Sequence, residues 1–375
     1  MEPVLFDQTD PRARGEAHGE LWRAEIQELV RIRTALTMVR GSFESEGQVM
    51  ALADRHVPFL EREQPDLAAE LLGIARAAEV TPAQIVVLNH YTDLRDIAPS
   101  VLDEPDPGGC TTLYLCGSDG PILGQTWDMH GTAEPFVRMI RIQPEGQDTE
   151  VLSFTLTGCL GMTGINADGV AVSINNLTCT DAQVGMIWPA LVRSMLTERT
   201  AVAARDRLMR TRLSSGHHYM IADPSDFYGV ETTGKLKVTT QKGPKTAHFH
   251  TNHCFDPKLR QHERVAPTST TFRRIELAST MYVQQRPETA REMYGFLSSH
   301  EGHPRSLCSH VDDETGDPSA SKTCGLMVMS LIGGGVLAKR GCGQVGEPTE
   351  MKVERWRGPT TYERPTVDPT GEGSS

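Results

Sequence analysis

An α+β protein, with sheet packed on sheet and helices outside, is what the order of elements along this chain predicts. Three observations carry that expectation. About the first hundred of its 375 residues repeat apolar side chains at helical spacing. A break rich in proline, glycine and acid follows at 98–109. Beyond it, short β-branched and apolar runs dominate, interrupted by helical stretches near 187–209 and 270–299.

Trp22, Ile26, Leu29 and Val30 stand at i, i+4, i+7 and i+8, one face of a helix. Leu67, Leu71 and Ile74 repeat the spacing after Pro65-Asp66. In "TPAQIVVLNH", Thr81 supplies an N-cap, Pro82 suits the first turn and Gln84 completes a capping box. "APSVLDEPDPGG" (98–109) then reads as an exposed linker. "CTTLYLC", "PILGQTW", "FVRMIRI", "EVLSFTL" and "GVAVSIN" read as a meander of antiparallel strands, with "SDGP" and "NADG" among the turns. Ile187, Leu191, Ser194 and Met195 share a face, which predicts one helix over 187–209. "HHYMIAD", "FYGVETT", "KLKVTT" and "AHFHTNH" are further strands. "GLMVMSLIGGGVLAKRG" is a last hairpin turning at Gly333, Gly334 and Gly335. From Gly358 to Ser375 the chain is polar and Pro/Gly-rich, and a disordered tail is expected.

A net charge of −12 leaves no basic surplus for phosphates, so a nucleic-acid partner is not expected. The N-terminus has no secretory pattern, and no apolar run approaches the about 18 residues of a membrane helix. The closing Gly-Ser-Ser is not a peroxisomal address. The expected setting is the cytoplasm, with no membrane partner. The Gly333–Gly335 triplet lacks the lysine and helix of a phosphate loop, and "GEAHGE" lacks dinucleotide-binding form, so no nucleotide cofactor is expected.

Eight cysteines, none in a Cys-x-x-Cys pair, read mainly as small reduced hydrophobes. His248, His250, His253 and Cys254 invite a metal reading. On a strand, 248, 250 and 252 share one face and 253 turns away, so the histidines do not converge and no metal is expected.

The remaining question is Cys110, in "PGGCTT" (107–112). One reading is a loop that ends in a buried thiol. The other is chemical. A cysteine attacks as its thiolate and needs a base, and a free α-amine, with a pKa of about 7.7–8, can serve. Cutting the peptide bond before Cys110 would place thiol and amine on one residue. Gly108 and Gly109 tolerate the backbone such a cut requires.

Several stretches in order carry a family resemblance. "GGCTTLYL…GQTWDMH" resembles the processing site of the acyl-coenzyme A:6-aminopenicillanic-acid acyltransferase family. "GEAHGE" (15–20), "AEVTPAQIVVLN" (78–89), "GINADGVAVSINNL" (164–177) and "HTNHC" (250–254) resemble further motifs of that family. These relatives are self-cleaving N-terminal nucleophile hydrolases. The resemblance implies a four-layer αββα sandwich, with residues 1–109 as a released but associated helical fragment, 110–357 as the catalytic fragment and 358–375 as the tail.

It also implies roles. Cys110 is the nucleophile for self-cleavage after Gly109 and for acyl transfer, and its freed amine is the base. Asn252 donates to the oxyanion, and Asp128 assists cleavage or holds the amine. Read without the resemblance, Asp128 caps the turn "WDMHG", Asn252 is a strand-end turn residue, and Thr111 and Thr112 are strand residues with one hydroxyl near the thiol. His18, and His217 with His218, read as structural. The family's arginine after a Ser-Ile-Cys is replaced here by Ser309, with Arg305 and His310 as candidates to compensate. The implied reaction is hydrolysis of a small N-acyl amide through an acyl-cysteine, without a cofactor. Acyl transfer from a coenzyme A thioester or an amide to an amine, such as a β-lactam nucleus, is the alternative. A catalytically silent ligand-binding homologue is the alternative of another class.

Overall fold

A computed structural model describes residues 1–98, 109–244, 246–317 and 319–363. The expected linker therefore lies, apart from its two ends, outside the described residues, as does the tail from 364 onward.

The N-terminal part is helical: α1 (Pro11–Leu21), α2 (Arg23–Arg40), α3 (Glu46–Asp54), α4 (Val57–Glu63), α5 (Pro65–Ala77) and α6 (Pro82–Ile97). Thr81 and Gln84 form the expected reciprocal capping box at the start of α6. Helices α1 and α5 cross closely. A Cβ at Gly15 would lie 2.0 Å from the Glu70 carbonyl oxygen, and one at Gly73 2.3 Å from that of Arg12. Backbone meets backbone there, which accounts for the glycines of "GEAHGE".

Before the helices runs a short strand, β1 (Val4–Phe6). After them come β2 (Thr111–Gly117), β3 (Gly120–His130), β4 (Val137–Ile142), β5 (Val151–Leu156), β6 (Thr163–Asn166) and β7 (Ala171–Leu177). Then follow α7 (Trp188–Met195), α8 (Ala201–Arg210), β8 (Gly216–Ala222), β9 (Phe227–Thr232), β10 (Lys237–Lys242) and β11 (His248–His250). The chain continues with α9 (Thr271–Gln285), α10 (Ala290–Leu297), α11 (Val311–Thr315), β12 (Ser321–Ser330), β13 (Gly335–Arg340) and β14 (Thr349–Lys352).

Among the described residues the strands make two sheets, β1-β4-β5-β6-β7-β8-β9-β10 and β11-β2-β3-β12-β13-β14. The expected single meander is thus divided. β2 and β3 pair as a hairpin in one sheet, while β4 to β10 run through the other. The sheets face each other: Tyr114 of β2 stacks on Phe227 of β9 at 4.2 Å, and Thr112 donates to Asn175 of β7 over 2.8 Å. The alternate side chains Leu113 and Leu115 face outward. With Leu326, Val328, Met281, Met293 and Leu297 they form a buried cluster under α9 and α10. The larger core joins the eight-stranded sheet to α1–α8 on its far side. The layers are therefore αββα.

Three further details differ from the sequence reading. The helix expected over 187–209 is two helices, because the chain turns at 196–199 and Thr200 caps α8 by accepting from the Ala203 N–H. The last hairpin gains a third strand, β14. The first residues of the expected tail are placed, with Tyr362 Oη 2.9 Å from Cys116 Sγ on the edge of β2. No single described helix is long and apolar enough to cross a membrane.

The N-terminal helices join the strands at one turn. Gly158 donates its N–H to His18 Nε2 over 2.8 Å. Asn89 of α6 donates to the Gly158 carbonyl over 3.0 Å and accepts from Leu160 N–H at 3.0 Å. Glu70 of α5, buried, pairs with Arg14 of α1 and Arg193 of α7. His18 and Asn89, both inside the quoted motifs, thus serve the joint between the two halves.

Candidate active site

Sheet register builds the site. β2 is flanked by β11, where His250 pairs with Thr112, and by β3, where Thr126 pairs with Thr111. Running each register toward the start of β2 brings Asn252 and Asp128 to either side of the Gly109–Cys110 peptide. Gly109, Cys110, Asp128 and Asn252 all line one cavity.

Cys110 is 6 % exposed, and its Sγ lies 4.0 Å from the Asp128 carbonyl oxygen. Burial, and then the Asp128 carboxylate, push its thiol up to about 12; the Arg274 guanidinium works against them. At neutral pH the thiol of the intact chain is protonated. Asp128 is not a turn cap. It stands within β3, and its Oδ1 accepts from Thr323 Oγ1 at 2.6 Å. Thr323 Oγ1 in turn accepts from the Ser309 N–H at 2.8 Å. Ser309 therefore reaches Asp128 through Thr323. Arg305 is bound to Glu314, and neither Arg305 nor His310 lines the cavity.

Asn252 packs directly on Gly109: a Cβ at 109 would lie 2.2 Å from Asn252 Oδ1. Its Nδ2 donates to the Asn176 carbonyl at 2.9 Å, and its Oδ1 accepts from Arg274 Nη2 at 2.8 Å. Arg274 Nη1 also reaches the Cys110 carbonyl oxygen (2.7 Å) and Thr111 Oγ1 (3.0 Å). Asn175 Nδ2 gives the Cys110 carbonyl a second donor at 2.9 Å. The hydroxyl of Thr111 thus serves Arg274, and that of Thr112 serves Asn175.

Arg274 and Asn175 escaped the sequence reading, although each left a signal. Arg274 shares the buried face of α9 with Thr271, Ala278 and Met281, an arginine on an apolar stripe. Asn175 is a fully buried amide in an apolar strand. Buried polar groups of this kind are held by partners, and here the partner is the Cys110 backbone.

The cavity wall is largely apolar and aromatic. It draws Tyr91 from α6, Trp127 and Met129 from β3, Ile174 from β7 and Trp188 from α7. His217, Arg264 and Arg95, the last held by Asp96 at 3.0 Å, are among its polar members. Among the other histidines, His248 stacks on Phe227, His250 bonds Glu231 at 2.9 Å, and His253 bonds Thr271 at 3.0 Å. His218 stacks on His250 at 3.6 Å and is buried, as His217 is.

A cysteine opening an inner-facing strand of an αββα sandwich defines the N-terminal nucleophile hydrolase class of fold. Within that class, the sequence profile of the acyl-coenzyme A:6-aminopenicillanic acid acyl-transferase family matches residues 115–316, and the chain belongs to this family. The match begins just past Cys110. The chain is 27% identical, over 252 residues, to the acyl-coenzyme A:6-aminopenicillanic-acid-acyltransferase 40 kDa form of Emericella nidulans; the alignment covers 66% of this chain and 68% of that protein. Solved structures similar to it include a Caenorhabditis elegans ortholog of N-acylethanolamine-hydrolyzing acid amidase (15% identity, TM-score 0.38, 59% of this chain and 92% of that one). A mutant conjugated bile acid hydrolase from Clostridium perfringens is another (11% identity, TM-score 0.41, 65% and 92%).

Proposed function

We propose that this chain is a self-cleaving cysteine amidohydrolase of small N-acyl amides. The observation that supports it most is the packing of the Asn252 amide on Gly109, with Arg274 holding both Asn252 and the Cys110 carbonyl. Self-cleavage starts when Cys110 Sγ, giving up its proton, attacks the Gly109 carbonyl carbon. Asn252 Nδ2, in the amide that packs on Gly109, is the proposed donor to the oxyanion, and one such donor lowers the barrier by roughly 3–4 kcal/mol. The C–N bond breaks, the Cys110 nitrogen takes a proton, and Gly109 is left as a thioester on sulfur. Water hydrolyses that thioester to the Gly109 carboxylate and a free thiol.

The new α-amine then removes the thiol proton in turnover, since its ordinary pKa is about 7.7–8. The thiolate attacks the substrate carbonyl, the amine departs with that proton, and water releases the acid from the acyl-cysteine. The Asp128 carboxylate, held by Thr323, is the proposed group that orients the ammonium. The apolar wall of Trp127, Ile174 and Trp188 suits an apolar or aromatic acyl group. Residues 1–109 form the fragment that stays docked through His18, Asn89 and Glu70, and 110–357 carry catalysis. The cytoplasm is the proposed setting, as the sequence pattern leads us to expect.

A second reading, acyl transfer from a coenzyme A thioester, draws support from the Emericella nidulans relative's name and from Arg264 at the cavity, which suits an anionic ligand. Intact mass spectrometry is the first test. Wild type should divide between Gly109 and Cys110, and Cys110→Ala should remain one chain. An uncut wild type lacks the base on which the reading depends. N-acyl amines assayed with and without coenzyme A thioesters then separate hydrolase from transferase. Turnover of neither, with ligand still bound, would mark a silent homologue.

A further inference from the structure

Four side chains that no part of the proposed chemistry uses converge beside β12 and β13, at the end of the six-stranded sheet that also carries Asp128. His300 follows α10, Cys308 and His310 lie between α10 and α11, and Cys342 follows β13. Cys308 Sγ is 3.9 Å from Cys342 Sγ and 3.7 Å from His310 Nε2. His300 Nε2 is 3.2 Å from His310 Nε2 and 3.2 Å from Cys342 Sγ. All four ligand atoms lie within 4.8 Å of one another. They are ring nitrogens and thiol sulfurs, and they face a common centre.

These separations match a tetrahedron around zinc. With Zn–S near 2.3 Å and Zn–N near 2.0–2.1 Å, the edges are roughly 3.8 Å for S···S, 3.4 Å for N···N and 3.6 Å for S···N. Two soft thiolates and two imidazoles at tetrahedral spacing select zinc over the harder cations. The surroundings fit as well. The Cys308 N–H is tied to the Ser299 carbonyl at 3.2 Å. Asp313 Oδ2 bonds His303 Nε2 at 3.1 Å and lies 3.9 Å from His310 Nδ1, on the ring edge away from the cluster. A carboxylate behind a ligating imidazole orients it.

We propose that His300, Cys308, His310 and Cys342 bind one structural Zn²⁺. Four protein ligands leave no open position, so the ion holds structure rather than activating water. What it holds is the 299–310 segment. Ser309, between two ligands, donates its N–H to Thr323 Oγ1 and accepts from the Thr323 N–H at 2.9 Å. Thr323 in turn holds Asp128. The ion thus fastens the backbone that positions Asp128, two hydrogen bonds away. The sequence reading weighed only the histidines at 248–253, because residues 300 and 342 are far apart in the chain.

The test is metal analysis of the full-length protein, grown with added zinc and dialysed against metal-free buffer. One zinc per chain is expected, lost in Cys308→Ser and in Cys342→Ser but kept in Cys116→Ser. Cobalt substitution should give the intense visible bands of a tetrahedral thiolate site. Should the variants not fold, wild type decides: a chelator should release zinc as Cys308 and Cys342 become alkylable. Zinc-free wild type, zinc retained in both serine variants, a Cys308–Cys342 disulfide by mass, or alkylation of both cysteines without zinc release would each overturn the proposal. Metal content is independent of cleavage at Gly109, so this proposal and the functional one fail separately.

Discussion

Arg274 donates to the carbonyl oxygen of Cys110 over 2.7 Å from the core of α9, where it is wholly buried. A guanidinium carries only donors, so the Asn252 oxygen must be the atom that faces it. That fixes the amide with Nδ2 on the side of the Asn176 carbonyl. Hydrogen bonds to a charged group contribute about 1.5–3 kcal/mol each. Arg274→Lys keeps the charge and loses the fork. Self-processing should slow by about 10–100-fold in a folded protein, equivalent to about 1.4–2.7 kcal/mol. Unchanged processing by mass spectrometry, with an unchanged melting temperature, would remove Arg274 from the site.

Asn252→Ala removes the proposed oxyanion donor. The rate of processing, and kcat in the mature enzyme, should fall about 10²–10³-fold with KM little affected. A structural role alone would instead lower the melting temperature and leave kcat of the folded fraction intact. Steady-state kinetics beside a thermal melt distinguish the two.

Gly109→Ala places a methyl group on the Asn252 amide, 2.2 Å from Oδ1. The amide must move, and cleavage should be slowed at least about tenfold while the fold persists, since the clash lies in the cavity and not in the core. Cleavage at the wild-type rate would show that Asn252 has no bearing on that bond.

The thiol of the intact chain is pushed up to about 12 by burial and by Asp128, so its protonated form dominates below that pH. Its thiolate fraction then rises about tenfold per pH unit through the neutral range. The self-cleavage rate should follow that slope between pH 6 and 9 (roughly, as thiolate supply is limiting). Turnover by the cleaved enzyme should level off nearer the amine's pKa. A flat processing profile would mean that thiolate supply does not limit the cut.

His18 accepts at Nε2 from the Gly158 N–H and is therefore neutral, and burial pulls its pKa down to about 4. The folded value lies below the unfolded one, about 6.5, so the unfolded state binds more protons between them. The stability this group contributes is complete above about pH 6.5 and is lost as pH falls toward 4. Denaturant melts across that window should show the decline, and His18→Gln should remove about one proton from its slope. A slope unaltered by the substitution would place the acid sensitivity elsewhere, in His56 or His217.

Much of the architecture was legible in local pattern. The cap at Thr81, the strand beginning after Cys110 and the helices at 271–297 each follow from spacing and turn chemistry within a few residues. The candidate site was legible where its residues sit in motifs, as Cys110, Asp128 and Asn252 do. Arg274 was not, because a buried arginine on a helix face has no meaning until the strand it meets is known.

Local pattern determined the helical prefix, the strand-rich remainder and, through its prolines, glycines and acids, the break before Cys110, and with them the α+β layering. Which element each face meets was decided by tertiary packing. Only the fold divides the strands into two sheets and sets Asn252 and Asp128 beside Gly109. It also sets Arg274 on a carbonyl 164 residues away and gathers His300, Cys308, His310 and Cys342 around one point. The physical reason is that burial of an apolar face is a local, non-directional preference, whereas a hydrogen bond or a metal ligand set requires particular atoms at particular distances.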